Sequence, residues 1–151
     1  SNKNIVIGDY LAIDFEDKFD LVWASHVLEH QRNPGIFLEK IFKDLKEGGF
    51  LCITVPPLKH QIVGGHVTLW NPLLLVYNLV LAGVDCSDIS IKKYGYNISV
   101  FLRKKKIEDM PNISFDRYDF EKLKNYIPEI LYQNCNGNIN KYRWEKKHEK
   151  S

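Results

Sequence analysis

His26 and His30 stand four residues apart in the stretch SHVLEH, and His66 follows a pair of glycines in GGHVTLW. Imidazole titrates near neutrality, which makes His30 and His66 candidates for taking a proton from a hydroxyl group. Two histidines at a spacing of four can equally well flank one helical turn, and a metal centre would need further ligands that the sequence does not identify, so no metal is expected. Gly64 and Gly65 leave the segment carrying His66 free in its backbone conformation. Asp9, after Gly8, is a carboxylate that can accept from an amine, with the ring of Tyr10 beside it to cover a flat group. Its plainer reading is a turn. Trp70, Tyr94 and Tyr96 could line an aromatic pocket, or pack as core aromatics near strand ends.

These groups need elements to hold them. Residues 4–8 (NIVIG) form a short apolar run closed by glycine, which predicts a buried strand. Residues 21–24 (LVWA) are apolar on both alternating faces, as in a strand covered on both sides within a parallel sheet. Between residues 33 and 49 the helix signals agree: Asn33 to cap, Pro34 in the first turn, and Gly48-Gly49 for a left-handed stop. Phe37, Leu38, Ile41, Phe42 and Leu45 share one face of it, opposite Glu39, Lys40, Lys43 and Lys46. Residues 50–55 (FLCITV) predict a third strand, stopped by Pro56-Pro57. Asn71-Pro72 starts a second helix over residues 73–82, apolar nearly all round and ending at Gly83. Residues 89–92 and 98–103 predict two antiparallel strands joined by the tyrosine-rich turn KYGYN. Beyond residue 107 the pattern weakens to a helix over residues 119–126, an interruption at Pro128, an Asn136-Gly137 turn and a charged tail, KYRWEKKHEKS. The expected organisation is a domain over residues 1–106 and a helical extension with its tail over residues 107–151.

Composition narrows the function classes. The 151 residues suit one domain, with 44% hydrophobic and 26% charged residues, close to the average for folded proteins. A net charge of +2, from 21 basic and 19 acidic residues, creates no field that would favour nucleic acid or anionic lipid. Cys52, Cys86 and Cys135 are widely spaced and lack a C-x-x-C pair, which argues against a disulfide framework or zinc cluster and makes a reducing cytoplasm the expectation. The most apolar stretch, residues 73–82, is about half the ~20 residues a membrane span needs, and no secretory leader is read at the N-terminus. The first residue is Ser1 and the only methionine is Met110, so the start is expected to be processed or cut upstream.

The block from residue 19 to 57, with strand, loop, helix, glycine turn and strand in succession, resembles the middle of a class I S-adenosylmethionine-dependent methyltransferase. The resemblance extends over about residues 5–104 and is nearest the small-molecule and sugar-modifying branch. It implies a Rossmann-like α/β sheet with helices packed on it and an antiparallel strand pair toward its C-terminal end. In IGDYLAI it implies that Asp9 binds the adenine amino group, with Tyr10 beside it. In FDLVWASHVLEH it implies that Ala24, Ser25 and His26 line the methionine end of the cofactor, with His30 one turn further on. It also places GGHVTLW in the loop that covers the acceptor, making His30 or His66 the base and His66, Trp70, Tyr94 and Tyr96 the acceptor wall.

In that family a glycine-rich cofactor loop stands tens of residues before this block. Here only eighteen residues precede it, and Gly48-Gly49 and Gly64-Gly65 are isolated pairs. The chain is therefore expected to lack the N-terminal strands, to supply one wall of the cofactor crevice, and to hold S-adenosylmethionine poorly by itself. Loss of those strands would leave residues 21–24 as a bare hydrophobic edge, covered either by residues 4–8 or by a second copy in a homodimer. Two functions follow: methylation of a small-molecule or sugar hydroxyl, or a non-catalytic remnant that dimerises or binds a partner.

Overall fold

A computed structural model describes residues 5–135 and 137–144. Five strands form one mixed sheet in the order β1-β2-β4-β3-β5, comprising β1 (Phe19–Ser25), β2 (Leu45–Val55), β3 (Ser90–Tyr94), β4 (Asn97–Arg103) and β5 (Lys141–Tyr142). β1 and β2 run parallel, linked through helix α1 (Pro34–Asp44), because parallel neighbours need a crossover that a tight turn cannot provide. β4 pairs antiparallel with both β2 and β3, and the β3–β4 hairpin turns at Gly95, whose φ of +52° lies in the left-handed region. Helix α2 (Pro72–Leu81) follows β2, and the short helices α3 (Asp119–Leu123) and α4 (Glu129–Asn134) follow the hairpin. No described helix is long and apolar enough to cross a membrane.

The core lies between one face of the sheet and the helices. Phe37, Leu38, Ile41 and Phe42 of α1 and Leu75, Val76, Leu79 and Val80 of α2 bury against Leu51, Ile53 and Val55 of β2 and Ile98, Val100 and Leu102 of β4. Leu123, Ile127, Leu131 and Ile139, all beyond residue 107, belong to the same cluster. Asn71 caps α2 as its sequence suggests, its side chain accepting from the Leu74 N–H at 2.8 Å.

Four local expectations are corrected. Residues 5–7 are exposed and form no strand, and they do not pair with β1; Asp9 instead closes a short 3-10 turn, Tyr10–Ala12, by accepting from the Leu11 N–H at 3.0 Å. α1 ends at Asp44, not at Gly48-Gly49, because Lys104 reaches up from the end of β4 and donates its ammonium protons to the carbonyls of Phe42 and Leu45. The strand then starts at Leu45 and bulges, with Leu45 opposite Phe19 and Phe50 opposite Leu21. Gly49 is required in that bulge, since a Cβ would stand 2.9 Å from the Lys46 carbonyl and 3.1 Å from that of Asp20. Asn33 precedes α1 without a side-chain capping bond.

The fourth correction concerns burial. Leu21–Ala24 is covered on one face only: Ala24 is buried, whereas Leu21 and Trp23 are 55% and 73% exposed. The apolar run LVWA suggests cover on both faces, but strand alternation sends Leu21 and Trp23 to a face that no helix among the described residues covers. Trp23 lies beside Cys52 and Cys52 beside Phe101, and the Phe50 and Phe101 rings stack with centroids 5.4 Å apart, so an apolar surface runs across β1, β2 and β4. The Asn136 part of the expected turn and residues 145–151 of the tail lie outside the described residues.

Candidate functional site

The carboxyl ends of β1 and β2 are the focus of the polar chemistry. His26 leaves β1 in the left-handed region, at φ 54°, while its N–H still donates to the Thr54 carbonyl of β2 at 2.9 Å. Such a conformation is uncommon for a residue with a Cβ and is tolerated where surrounding contacts hold it. Here the contacts hold the ring at both nitrogens: Nδ1 lies 3.2 Å from Glu29 Oε1 and Nε2 lies 2.8 Å from Asn97 Oδ1 at the start of β4. His26 thereby ties the end of β1 to the hairpin.

Glu29 sits in a 3-10 turn, Leu28–His30, that follows at once. Its carboxylate is fully buried; Oε1 also lies 3.9 Å from His30 Nε2, and Oε2 has no hydrogen-bond partner. The loop between β2 and α2 folds over this turn. The N–H groups of Val67 and Thr68 donate to the Glu29 carbonyl at 2.9 and 3.2 Å, and the Thr68 hydroxyl donates to the Leu28 carbonyl. His30 Nδ1 donates to the Gly65 carbonyl at 2.8 Å, and the His30 and His66 rings meet edge to face with centroids 4.9 Å apart. Gly65 takes φ +85°, which places that carbonyl and which a side chain would strain.

The sequence candidates thus divide. His26, His30 and His66 come together around Glu29, with Ser25 exposed at the strand end beside them. Ala24 is a core residue at 7% exposure. Trp70 is buried, its indole N–H donating to the Thr68 hydroxyl, so it anchors the loop from beneath and contributes an edge to a concavity of about 210 Å³ that also touches Pro57, Lys93 and Ile98. Tyr94 donates or accepts at Ser99 Oγ, 2.9 Å away, which in turn meets Thr54 Oγ1 at 2.7 Å, and Lys59 lies over the Tyr96 ring at 4.3 Å. Asp9 is exposed. Tyr10 turns to α1 instead: its hydroxyl donates to Asp44 Oδ2 at 2.7 Å and its ring packs on Phe37 beneath the Lys40 ammonium. Burial first, and then the Asp44 carboxylate, push the Tyr10 phenol well above its ordinary range. Burial also raises the Cys52 thiol, which makes it a poor nucleophile.

Sequence reasoning missed Glu29, Asn97 and the Gly65 carbonyl. Glu29 carried a faint signal, an acid wedged between Leu28 and His30. Asn97 is 71 residues from His26, and no local pattern connects them.

Comparison with known proteins agrees with this architecture. Residues 1–53 match the family model described as a methyltransferase domain, about a third of the chain, and no curated protein sequence matches. Among solved structures, the 1,6-didemethyltoxoflavin-N1-methyltransferase of Burkholderia thailandensis superposes with a TM-score of 0.54 at 21% identity, over 67% of this chain and 50% of that one. Human N-acetylserotonin methyltransferase does so with a TM-score of 0.53 at 21% identity, over 66% and 33% respectively. The N-methyltransferase NodS from Bradyrhizobium japonicum WM9 gives 0.51 at 16% identity, over 66% and 58%. The chain spans less than two-thirds of each of these proteins. Its fold is the Rossmann-like α/β fold of methyltransferases, with the antiparallel pair at the C-terminal side of the sheet as expected.

Proposed function

We propose that this chain serves methyl transfer from S-adenosylmethionine to a small molecule, a metabolite or sugar bearing a hydroxyl group. The observation that carries the reading is the convergence of three histidines on one buried carboxylate at the carboxyl ends of two parallel strands, where open α/β sheets bind their ligands. The similar structures include a human methyltransferase in complex with SAM and a bacterial one with S-adenosylhomocysteine bound, which supports that donor class.

The residues present fit one side of such a cofactor. Exposed Ser25, the bent backbone at His26 and the end of Ala24 would flank its methionine part. The exposed Asp9 carboxylate can accept a further bond from an amine, with Tyr10 fixed beside it by Asp44. Bound there, the cofactor supplies an activated methyl group on a sulfonium. The chain's part is alignment, plus a base when the acceptor is a hydroxyl. His30, whose Nδ1–H is committed to Gly65, keeps Nε2 as a proton acceptor, and half-buried His66 adjoins it. Tyr94, Tyr96 and the loop running from His66 to Trp70 would bound the acceptor. The unpaired thiols at Cys52, Cys86 and Cys135 suit a reducing compartment such as the cytoplasm. The position of β1 at the end of the described sheet, with an open apolar face beside it, supports a homodimer formed at the β1 edge.

Calorimetric titration of the chain with S-adenosylmethionine and S-adenosylhomocysteine tests the reading. Weak but saturable binding is expected, as one wall of a crevice would give, weakened further by Asp9→Ala, and methyl transfer to a hydroxyl acceptor should fall roughly 100-fold in whichever of His66→Ala and His30→Ala removes the base. Absence of heat at millimolar donor would leave the non-catalytic, partner-binding reading in its place.

A further inference from the structure

We infer that Glu29, His30 and His66 form a binding site for one divalent transition-metal ion of the zinc type. One carboxylate oxygen and two imidazole nitrogens from these residues lie within 4.8 Å of one another. Ligands around a tetrahedral zinc ion with bonds of about 2.1 Å stand roughly 3.4 Å apart, so a shift of ~1 Å per side chain would bring all three atoms onto one ion. A single Glu and two His leave a fourth position open, the pattern of sites that bind an exchangeable ligand.

Two features point to a cation, and a third holds its ligands in place. Glu29 is completely buried with Oε2 unpartnered; a buried carboxylate oxygen left without a donor is costly, and contact with His26 accounts for Oε1 only. The His30 tautomer is already set: its Nδ1–H is held by the Gly65 carbonyl, leaving the Nε2 lone pair on the Glu29 side, the same arrangement in which metal-binding histidines are oriented by a carbonyl behind them. The two segments that bring the ligands are locked together, because the Glu29 carbonyl accepts from both N–H groups that follow His66 in sequence. The paired glycines just before His66 leave its side free to close.

The site shares His30 and His66 with the proposed methyl transfer but does not depend on it, since metal binding is read without a methyl donor. Each imidazole can serve as a ligand or as a base but not both, so zinc loading would remove both candidate bases.

The test is zinc titration of the full chain after chelator treatment, followed by calorimetry, together with Co2+ absorption and no methyl donor present. One ion per chain is expected, with tetrahedral Co2+ bands free of thiolate charge transfer. Loss of an outer partner of a metal site typically costs 10–100-fold in affinity, so removal of a ligand in His66→Ala should weaken binding at least about 100-fold, with unchanged far-UV circular dichroism. Glu29→Gln should do the same, and His60→Ala, in the same loop but outside the cluster, should leave affinity unchanged. No saturable binding, a site that survives His66→Ala, loss of binding in His60→Ala, or a thiolate signature in the Co2+ spectrum would each overturn the inference.

Discussion

Glu29 and Asp119 are both fully buried carboxylates, and their surroundings could hardly differ more. Asp119 Oδ2 accepts from the N–H groups of Ser114 and Asp116, at 2.9 and 3.2 Å, and Oδ1 accepts from the Lys122 ammonium at 2.7 Å. The Lys122 bond above all, with those backbone donors, lowers the Asp119 carboxyl to about 2. Because the folded value lies below the unfolded one, near 3.9, its stabilisation is complete above about pH 5 and is lost as pH falls toward 2. Thermal unfolding followed between pH 5 and 2 should show this loss, and Asp119→Asn should lower Tm at neutral pH while flattening the acid decline. An unchanged acid profile in Asp119→Asn would refute that assignment. Glu29 has no such set of donors, which is why it is read as a binding group and Asp119 as a structural one.

At the scale of elements, α2 and the segment after α4 depend on one another. Asn71 both caps α2 and lies against Gly137, where an added Cβ would stand 2.3 Å from Asn71 Oδ1. Gly137 also takes φ +64°, so a side chain there is strained as well as crowded. Asn71→Ala should cost about 1 kcal/mol from the lost cap. Gly137→Ala should cost more, by adding backbone strain of ~1 kcal/mol or above to the displaced cap. Denaturant midpoints for the two variants and their combination check this: the double variant should lose less than the sum, since both act on the same bond, and strict additivity would count against the coupling. The cap was legible in the sequence, as were α2 and the β3–β4 hairpin. The partner of the cap was not, because 66 residues separate it from Asn71.

The whole molecule presents an asymmetric sheet, packed by helices on one face and open across Leu21, Trp23, Phe50 and Phe101 on the other. A contiguous apolar surface of that kind favours association, and the edge of β1, unpaired among the described residues, offers a symmetric pairing with a second copy. Light scattering should show a dimer at tens of micromolar chain, and Trp23→Lys should convert it to a monomer with its circular dichroism intact. A monomeric parent chain would assign the cover of this face to something other than a second copy.

Short-range pattern carries the local grammar: the proline and glycine punctuation around α2, the amphipathic face of α1, the strand character of β1 and β2, and the histidines as the residues with chemistry to offer. These depend on neighbours a few positions away, where periodicity and backbone preference act. Tertiary structure alone decided that α1 stops at Asp44 under the Lys104 ammonium, that LVWA is covered on one face, and that Tyr10 belongs to α1. It also brought His66 to His30 and buried Glu29 between His26 and the loop. Those outcomes turn on which surfaces meet and which charges lose their water, and burial is a property of the assembled chain that no short window of residues contains.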